Sequence, residues 1–238
     1  MKIGEWDVKE AGARQHRVTF GNNTISNASE WVKGSLNPTL LGNTVGLKTI
    51  RTVLVVKGKD REEILGRKSL IISKCLEPVI LTLDNYQHRF YAVLKKTDTD
   101  ETSMNRWHLL TLEWNCYEFG DRITQIFEGC ETMSVYNPGN MITPATIHIW
   151  PQIGTATLTV AGISRSLVME ENYEVVVKNT EAGKEIILDG ETGLITEAGQ
   201  IKAGDVEIWE LPSLLPGENT ITVSTTVNVT ITFLPRYM

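Results

Sequence analysis

The chain has 238 residues, with 23 Lys and Arg against 29 Asp and Glu and a net charge of −6. That length is long for one domain and comfortable for two small ones, and 41% hydrophobic with 22% charged residues is the make-up of an ordinary globular chain. The longest apolar runs, such as Val53 to Val56, are far too short for a transmembrane helix, and the first residues lack the apolar core of a signal peptide, so synthesis and folding in the cytoplasm are expected.

Residues 1 to 45 carry few signals. Arg17 to Phe20 reads as a strand, whereas Gly21 to Thr24 and Gly34 to Gly46 read as turns and loops. Trp6 and Trp31 lie in polar surroundings; either could pack on a neighbouring subunit, and packing on their own domain is the expectation. Thr49 to Val56 is a strand that Gly58 breaks. Asp60 is an N-cap with Glu63 three residues on, a capping-box pattern that opens a helix. Ile64, Leu65, Ile71, Ile72 and Cys75 fall on one side of it, Glu62, Glu63 and Lys74 suit its dipole, and Pro78 ends it. Strands follow at Val79 to Leu83, Arg89 to Lys95 and Arg106 to Cys116, with a turn at Asp84-Asn85 and an exposed hairpin loop at Lys96 to Asn105.

Tyr117 to Asn140 reads as the link between two halves, with Asn137-Pro-Gly-Asn140 as turn or hinge. Short strands then recur at Thr146 to Trp150, Ala156 to Val160, Tyr173 to Lys178, Glu185 to Asp189 and Gly193 to Glu197, a spacing that predicts a β-sandwich. The closing stretch, Val206 to Met238, reads as a strand, a proline-and-glycine corner and a hairpin. Ile221, Val223, Val227, Val229, Ile231 and Phe233 share one parity there, which marks a strand face that is buried. Charge is split between the halves: residues 1–135 are net +1 and residues 136–238 net −7. Clustered Lys and Arg, which phosphate contacts need, are lacking in the second half.

Little chemistry is encoded in motifs. Cys75, Cys116 and Cys130 are an odd number without CxxC spacing, which argues against a disulfide framework or structural zinc. His16, His88, His108 and His148 are scattered singly, and no GxSxG, P-loop or GxGxxG is present. Glu62-Glu63 and Glu170-Glu171 are sequence neighbours that point in different directions, so they do not frame a cleft for acid–base work. Trp150 and Trp209 are the candidates for sugar-stacking platforms, weighed against packing in a core or interface. No catalytic, cofactor-binding or metal-ligating residue is assigned, and no cofactor is expected.

The order Asn137-Pro-Gly139, Pro144, Ile187-Leu-Asp-Gly190, Trp209-Glu-Leu-Pro212, Pro216-Gly217-Glu-Asn219 and Arg236-Tyr237 resembles the C-terminal half of the phage distal tail protein family. The first half is similar in pattern, through Gly58 to Arg61 leading into a helix, Leu83-Asp84, Phe90-Tyr91 and a long strand ending near a cysteine, while its opening 45 residues depart from the family's usual start. The resemblance implies a mainly β chain. Residues 1–135 would be an N-terminal belt domain, a split barrel or sheet with one helix, and residues 136–238 a galectin-like β-sandwich. It implies a non-enzymatic structural protein of a phage or prophage tail tip: a homo-hexameric ring built by the first domain, joined to tail tube and tip proteins, holding receptor-binding proteins in some members. The resemblance further implies a channel through which DNA only passes, no membrane insertion, and a place in the virion. The alternative is a carbohydrate-binding module or adhesin that uses the C-terminal sandwich.

Overall fold

The structure, a computed structural model, describes residues 1–31, 33–37, 39–101, 106–165, 172–208 and 210–238. Its elements are β1 (Lys2–Ile3), β2 (Trp6–Asp7), a 3-10 turn (Val8–Ala11), β3 (Ala13–Phe20), β4 (Ile25–Glu30), β5 (Thr39–Val45), β6 (Lys48–Lys57), α1 (Arg61–Ser73), β7 (Val79–Thr82), β8 (Arg89–Asp100) and β9 (Trp107–Phe119), followed by β10 (Ile123–Asn137), β11 (Thr143–Pro151), β12 (Thr155–Arg165), β13 (Asn172–Thr180), β14 (Ile186–Asp189), β15 (Ile195–Glu197), β16 (Gln200–Ile201), β17 (Val206–Glu207), β18 (Ser213–Leu214), β19 (Gly217–Phe233) and β20 (Arg236–Tyr237). Two compact units divide the chain, Met1–Phe119 with Met238 and Gly120–Tyr237.

In the first unit seven strands run in the order β2-β1-β7-β8-β9-β6-β3, antiparallel throughout. Strict alternation in β9 sends Leu110, Leu112, Trp114 and Cys116 to one face, where they meet Ile50, Leu54 and Val56 of β6 and Phe90 of β8. α1 covers this face. Its start is the expected one: Asp60 is extended at φ −143° and its side chain accepts from the Glu63 backbone N–H at 2.8 Å. Glu63 in turn accepts from Lys59 N–H at 2.6 Å. The inward face differs from the expected one. Ile64, Lys68, Ile71 and Cys75 are buried at spacings of four, three and four, while Leu65 is exposed. The helix is pinned by a stripe that includes a lysine, whose four-carbon stem packs as an apolar residue does.

Three other expectations for this unit are corrected. Gly34 to Gly46, read as turns and loops, contains β5, which forms a separate two-stranded hairpin with β4, a stretch left unassigned from sequence, and every β4 residue is exposed. Trp31, placed on its own domain from sequence, is 64% exposed at the end of β4. β8 continues to Asp100 through the segment read as a loop, pairing Lys96 to Asp100 with Glu113 to Leu109; residues 102–105 lie outside the described residues.

In the second unit, β10 occupies most of the segment read as a link, and it pairs with β19 from Ile123↔Phe233 to Asn137↔Gly217. Residues 120–135 therefore go with this unit. β19 is one strand of 17 residues where a hairpin was expected. On its other side it pairs β11 over Val227 to Phe233 and β12 over Thr222 and Val223. The sheet divides there into two branches, β11-β14-β15-β16 and β12-β13-β17. Ile147, Ile149 and Leu188 from one branch and Leu158, Val160 and Val177 from the other share a single core with Ile221, Val229 and Ile231, a two-layer sandwich. Asn137, read as part of a hinge, is fully buried. Its Nδ2 donates to Thr143 Oγ1 at 3.2 Å and Leu214 O at 3.3 Å, and its Oδ1 accepts from Gly139 N–H at 2.9 Å. It fastens the ends of β10, β11 and β18 together.

Candidate assembly surface

β7 accompanies β8 only over Arg89 to Ala92. Beyond Leu94 the first unit's sheet is four strands wide, β8-β9-β6-β3. Among the described residues no other strand pairs with β3 on its far side or with β8 from Leu94 on. Both flanks are thus free strand edges carrying unpaired N–H and C=O groups. Each edge strand contains one bulge, between Gln15 and Arg17 on β3 and between Leu94 and Lys96 on β8.

The ladders place residues in rows across these four strands. Asp100, Leu109, Val55 and Arg14 form one row, Asp98, Thr111, Val53 and Arg17 the next, and Lys96, Glu113, Arg51 and Thr19 a third. All three lie on the face away from α1, since the residues between them, such as Leu110, Leu112 and Leu54, are in the core. Aspartates end two rows at the β8 edge and arginines end the same rows at the β3 edge. Because each neighbouring pair is antiparallel, β3 also runs antiparallel to β8. The edge charges are not consumed within the chain. Among the described residues Arg14, Arg17 and Asp100 form no ion pair, and the Asp98 carboxylate takes only the Thr99 N–H at 2.9 Å. The middle of the face is neutralised locally: Lys95 lies 3.0 Å from Glu113, and its hydrogen bond and charge hold that carboxyl below its usual range.

A second ionic cluster lies lower in the same sheet. Glu118, 4% exposed, accepts from Lys48 Nζ at 2.5 Å and Tyr86 Oη at 3.0 Å and meets His88 Nδ1 at 2.7 Å. Burial opposes its ionisation, but the hydrogen bonds from Lys48, His88 and Tyr86 outweigh it, and the carboxyl sits below its ordinary value. Such a satisfied cluster orders the sheet.

The remaining candidates are dispersed. His16 occupies the exposed β3 bulge, His108 is buried 3.2 Å from Lys68 Nζ, and His148 meets Glu185 at 2.8 Å. Burial lowers the pKa of Lys68. Among the described residues no three His, Cys, Asp or Glu side chains converge as metal ligands. Cys75 and Cys116 are buried, with thiols pushed up to about 12 by desolvation, and Cys130 is half-buried. Glu62 and Glu63 open α1, and Glu63 is spent on the cap and on Arg67. Trp150 is half-buried and stacked on His148 with ring centroids 6.0 Å apart. Trp209, Glu170 and Glu171 lie outside the described residues. No helix among the described residues is long and apolar enough to cross a membrane.

The structure is thus a mainly β protein of two units, and beyond Leu94 the first unit's sheet is flanked, among the described residues, by two free edges of opposite charge. No family model matches the chain, and no curated protein does. Solved structures do. The SPP1 Dit (gp 19.1) protein, described as a paradigm of the hub adsorption apparatus in phages infecting Gram-positive hosts, is similar at a TM-score of 0.78 and 12% identity, over 99% of this chain and 98% of that one. Chains of the phage P2 baseplate in its activated conformation are similar at TM-scores of 0.51, with Ca, and 0.50, with Sr, both at 10% identity, over 97% and 96% of this chain and 92% of theirs. At these identities the likeness is one of fold. It is the fold that the sequence resemblance implied.

Proposed function

We propose that this chain is a structural, non-enzymatic component of a phage tail tip, in which copies join head to tail through the first unit's sheet. The observation that carries the proposal is the pair of free edges. Setting β3 of one copy beside β8 of the next continues an antiparallel sheet, with Arg14 opposite Asp100 and Arg17 opposite Asp98. The bulge at His16 keeps both pairs in register. Head-to-tail contacts between identical subunits close when the rotation per subunit divides a full turn. The resemblance supplies a ring of six. Six copies of four strands at about 4.8 Å spacing give a circumference of roughly 115 Å, or about 37 Å between opposite backbones if the strands are untilted. The face away from α1 would line the channel, and its interleaved charges offer passing DNA no basic track.

Tail tube and tip proteins would stack on the ring, and the second unit, a galectin-like sandwich with 6 Lys and Arg against 15 Asp and Glu, would stand in solvent and hold receptor-binding proteins. Light scattering and negative-stain imaging of the whole chain test the assembly. R14E together with R17E should dissociate the ring, and adding D98R with D100R in the same chain should restore it. A monomer at every concentration, or charge reversals that leave the mass unchanged, would overturn the edge assignment.

A further inference from the structure

Where β3 begins, the 3-10 turn, β6 and α1 surround a hollow of about 690 Å³ lined by Lys9, Gly12, Ala13, Arg14, Lys57 and Arg67. Four of the six lining residues are cationic and none is a carboxylate. The site is shaped in advance. Arg67 is held by Nη1 donating to Lys57 O and Nη2 donating to Glu63 Oε1, each at 2.7 Å, which fixes the plane of its guanidinium. Gly12, at φ +65°, makes the room: a Cβ there would stand 1.9 Å from Arg67 Nη1. Arg14 and Lys57 are exposed and form no ion pair among the described residues. A cluster of this kind favours a carboxylate or phosphate held by two or more cations.

We infer that the hollow receives the acidic end of β8, Asp100 and Glu101, from a neighbouring copy. This rests on the edge-to-edge reading above and specifies what seats it. The register decides the occupant. With Asp100 opposite Arg14, the next residue, Glu101, falls opposite Ala13, which lines the hollow. The faces agree as well. Glu101 already reaches the helix-bearing side in its own copy, where its carboxylate accepts from Arg61 at 2.7 Å, an exposed and exchangeable pair. In the neighbour's hollow the same side presents Arg67 on α1 and Lys9 on the 3-10 turn. Asp100 stays on the opposite face with Arg14. The hollow therefore clamps the strand end from both faces of the sheet and sets the register of the joint. A phosphate of duplex DNA would meet the same cations, but DNA in a channel runs along the face away from α1, whereas Lys9 and Arg67 belong to the other.

Two cross-linking pairs separate this inference from the assembly on which it rests, each in a chain carrying Cys130→Ser so that only buried native thiols remain. Arg14→Cys mixed with Asp100→Cys should give a disulfide-linked dimer on oxidation, because directly opposed antiparallel residues have Cα atoms within disulfide reach. Lys9→Cys mixed with Glu101→Cys should give a dimer with a short bis-maleimide, absent from either variant alone. The first product without the second means that the edges meet but the hollow is not filled by the neighbour's strand end, and the inference fails. Neither product means that the edge-to-edge reading itself fails. Salt-dependent retention of duplex DNA that Lys57→Glu abolishes, with no maleimide product, assigns the hollow to phosphate and overturns the proposal.

Discussion

Asn137→Ala should destabilise the second unit far more than its surface location in a turn sequence suggests. The side chain is fully buried, and its removal leaves the Gly139 N–H that donates to Oδ1 unpaired; the Leu214 carbonyl and Thr143 Oγ1 each lose the bond from Nδ2, but Leu214 O keeps its ladder bond from Thr143 N–H. Thr143 Oγ1 is protected, because it still donates to Met141 O and still accepts from Arg236 N–H. An orphaned buried group costs about 1–3 kcal/mol and each of the two lost hydrogen bonds from Nδ2 about 0.5–1.5 kcal/mol, so the expected loss is about 2–6 kcal/mol. Against a total of about 5–15 kcal/mol, that is a large fraction. Differential scanning calorimetry reads it: at roughly 4 °C per kcal/mol, the second unit's transition should fall by about 8 °C or more while the first unit's stays in place. Asn137→Asp keeps the acceptor for Gly139 but sets a carboxylate against the oxygens of Thr143 and Leu214, and it should be no better than alanine. A shift under about 3 °C for the alanine variant would refute the reasoning, since it would mean that water or relaxation satisfies the Gly139 N–H at little cost.

Two further outcomes follow from other contacts. Gly190→Ala would put a Cβ 1.8 Å from Pro212 O and 2.8 Å from Ala145 O, so β11 and the segment before β18 must separate; a loss of about 1–3 kcal/mol or more is expected in urea unfolding, against under about 0.5 kcal/mol for the open Gly204→Ala. Glu118 has a folded pKa below its unfolded one, so its contribution is present above the unfolded value near 4.3 and is lost as pH falls through the folded value; the wild-type urea midpoint should drop more steeply between about pH 5 and 3 than that of Glu118→Gln, which at neutral pH should cost about 3–5 kcal/mol by leaving Lys48 buried without its counter-charge. Parallel pH profiles for the two chains would remove the cluster from the account.

What the sequence makes legible is what local physics decides. The start of α1 could be read because Asp60 and Glu63 act within four residues of each other. The buried parity of β19 could be read because a strand with one core face repeats every second residue, and all six marked residues are buried. What was missed depends on partners distant in sequence. Lys68 is not among the residues the sequence marks for the inward face of α1, yet it completes that stripe, which only the sheet beneath can reveal. β4 shows no alternation because both of its faces are exposed, so no pattern marks it. β10 reads as a polar link because much of it is exposed or half-buried, with a bulge near Cys130; its strand character comes from the ladder to β19, some 80 to 110 residues away.

The candidate surface was hidden for the same reason, and its logic links the chain's charge to its assembly. Read at the division after Phe119, the charge separates more sharply than by halves: the first unit is net +3 and the second net −9. Like charge on the second unit opposes packing of its copies against one another, in keeping with the proposal that the first unit makes the contact. Within that unit the net value conceals a directed arrangement, since Arg14 and Arg17 stand at one edge and Asp98 and Asp100 at the other, 81 to 86 residues apart in sequence and aligned only once two bulges have shifted the ladders by one residue each. A flat edge of uniform character would pair with itself or with any exposed strand. In the proposed assembly, edges of opposite sign repel their own kind and accept only the other, so the same four residues that would attract the neighbouring copy would also exclude edge-to-edge pairing of two β3 strands, and the sheet would grow in one direction only.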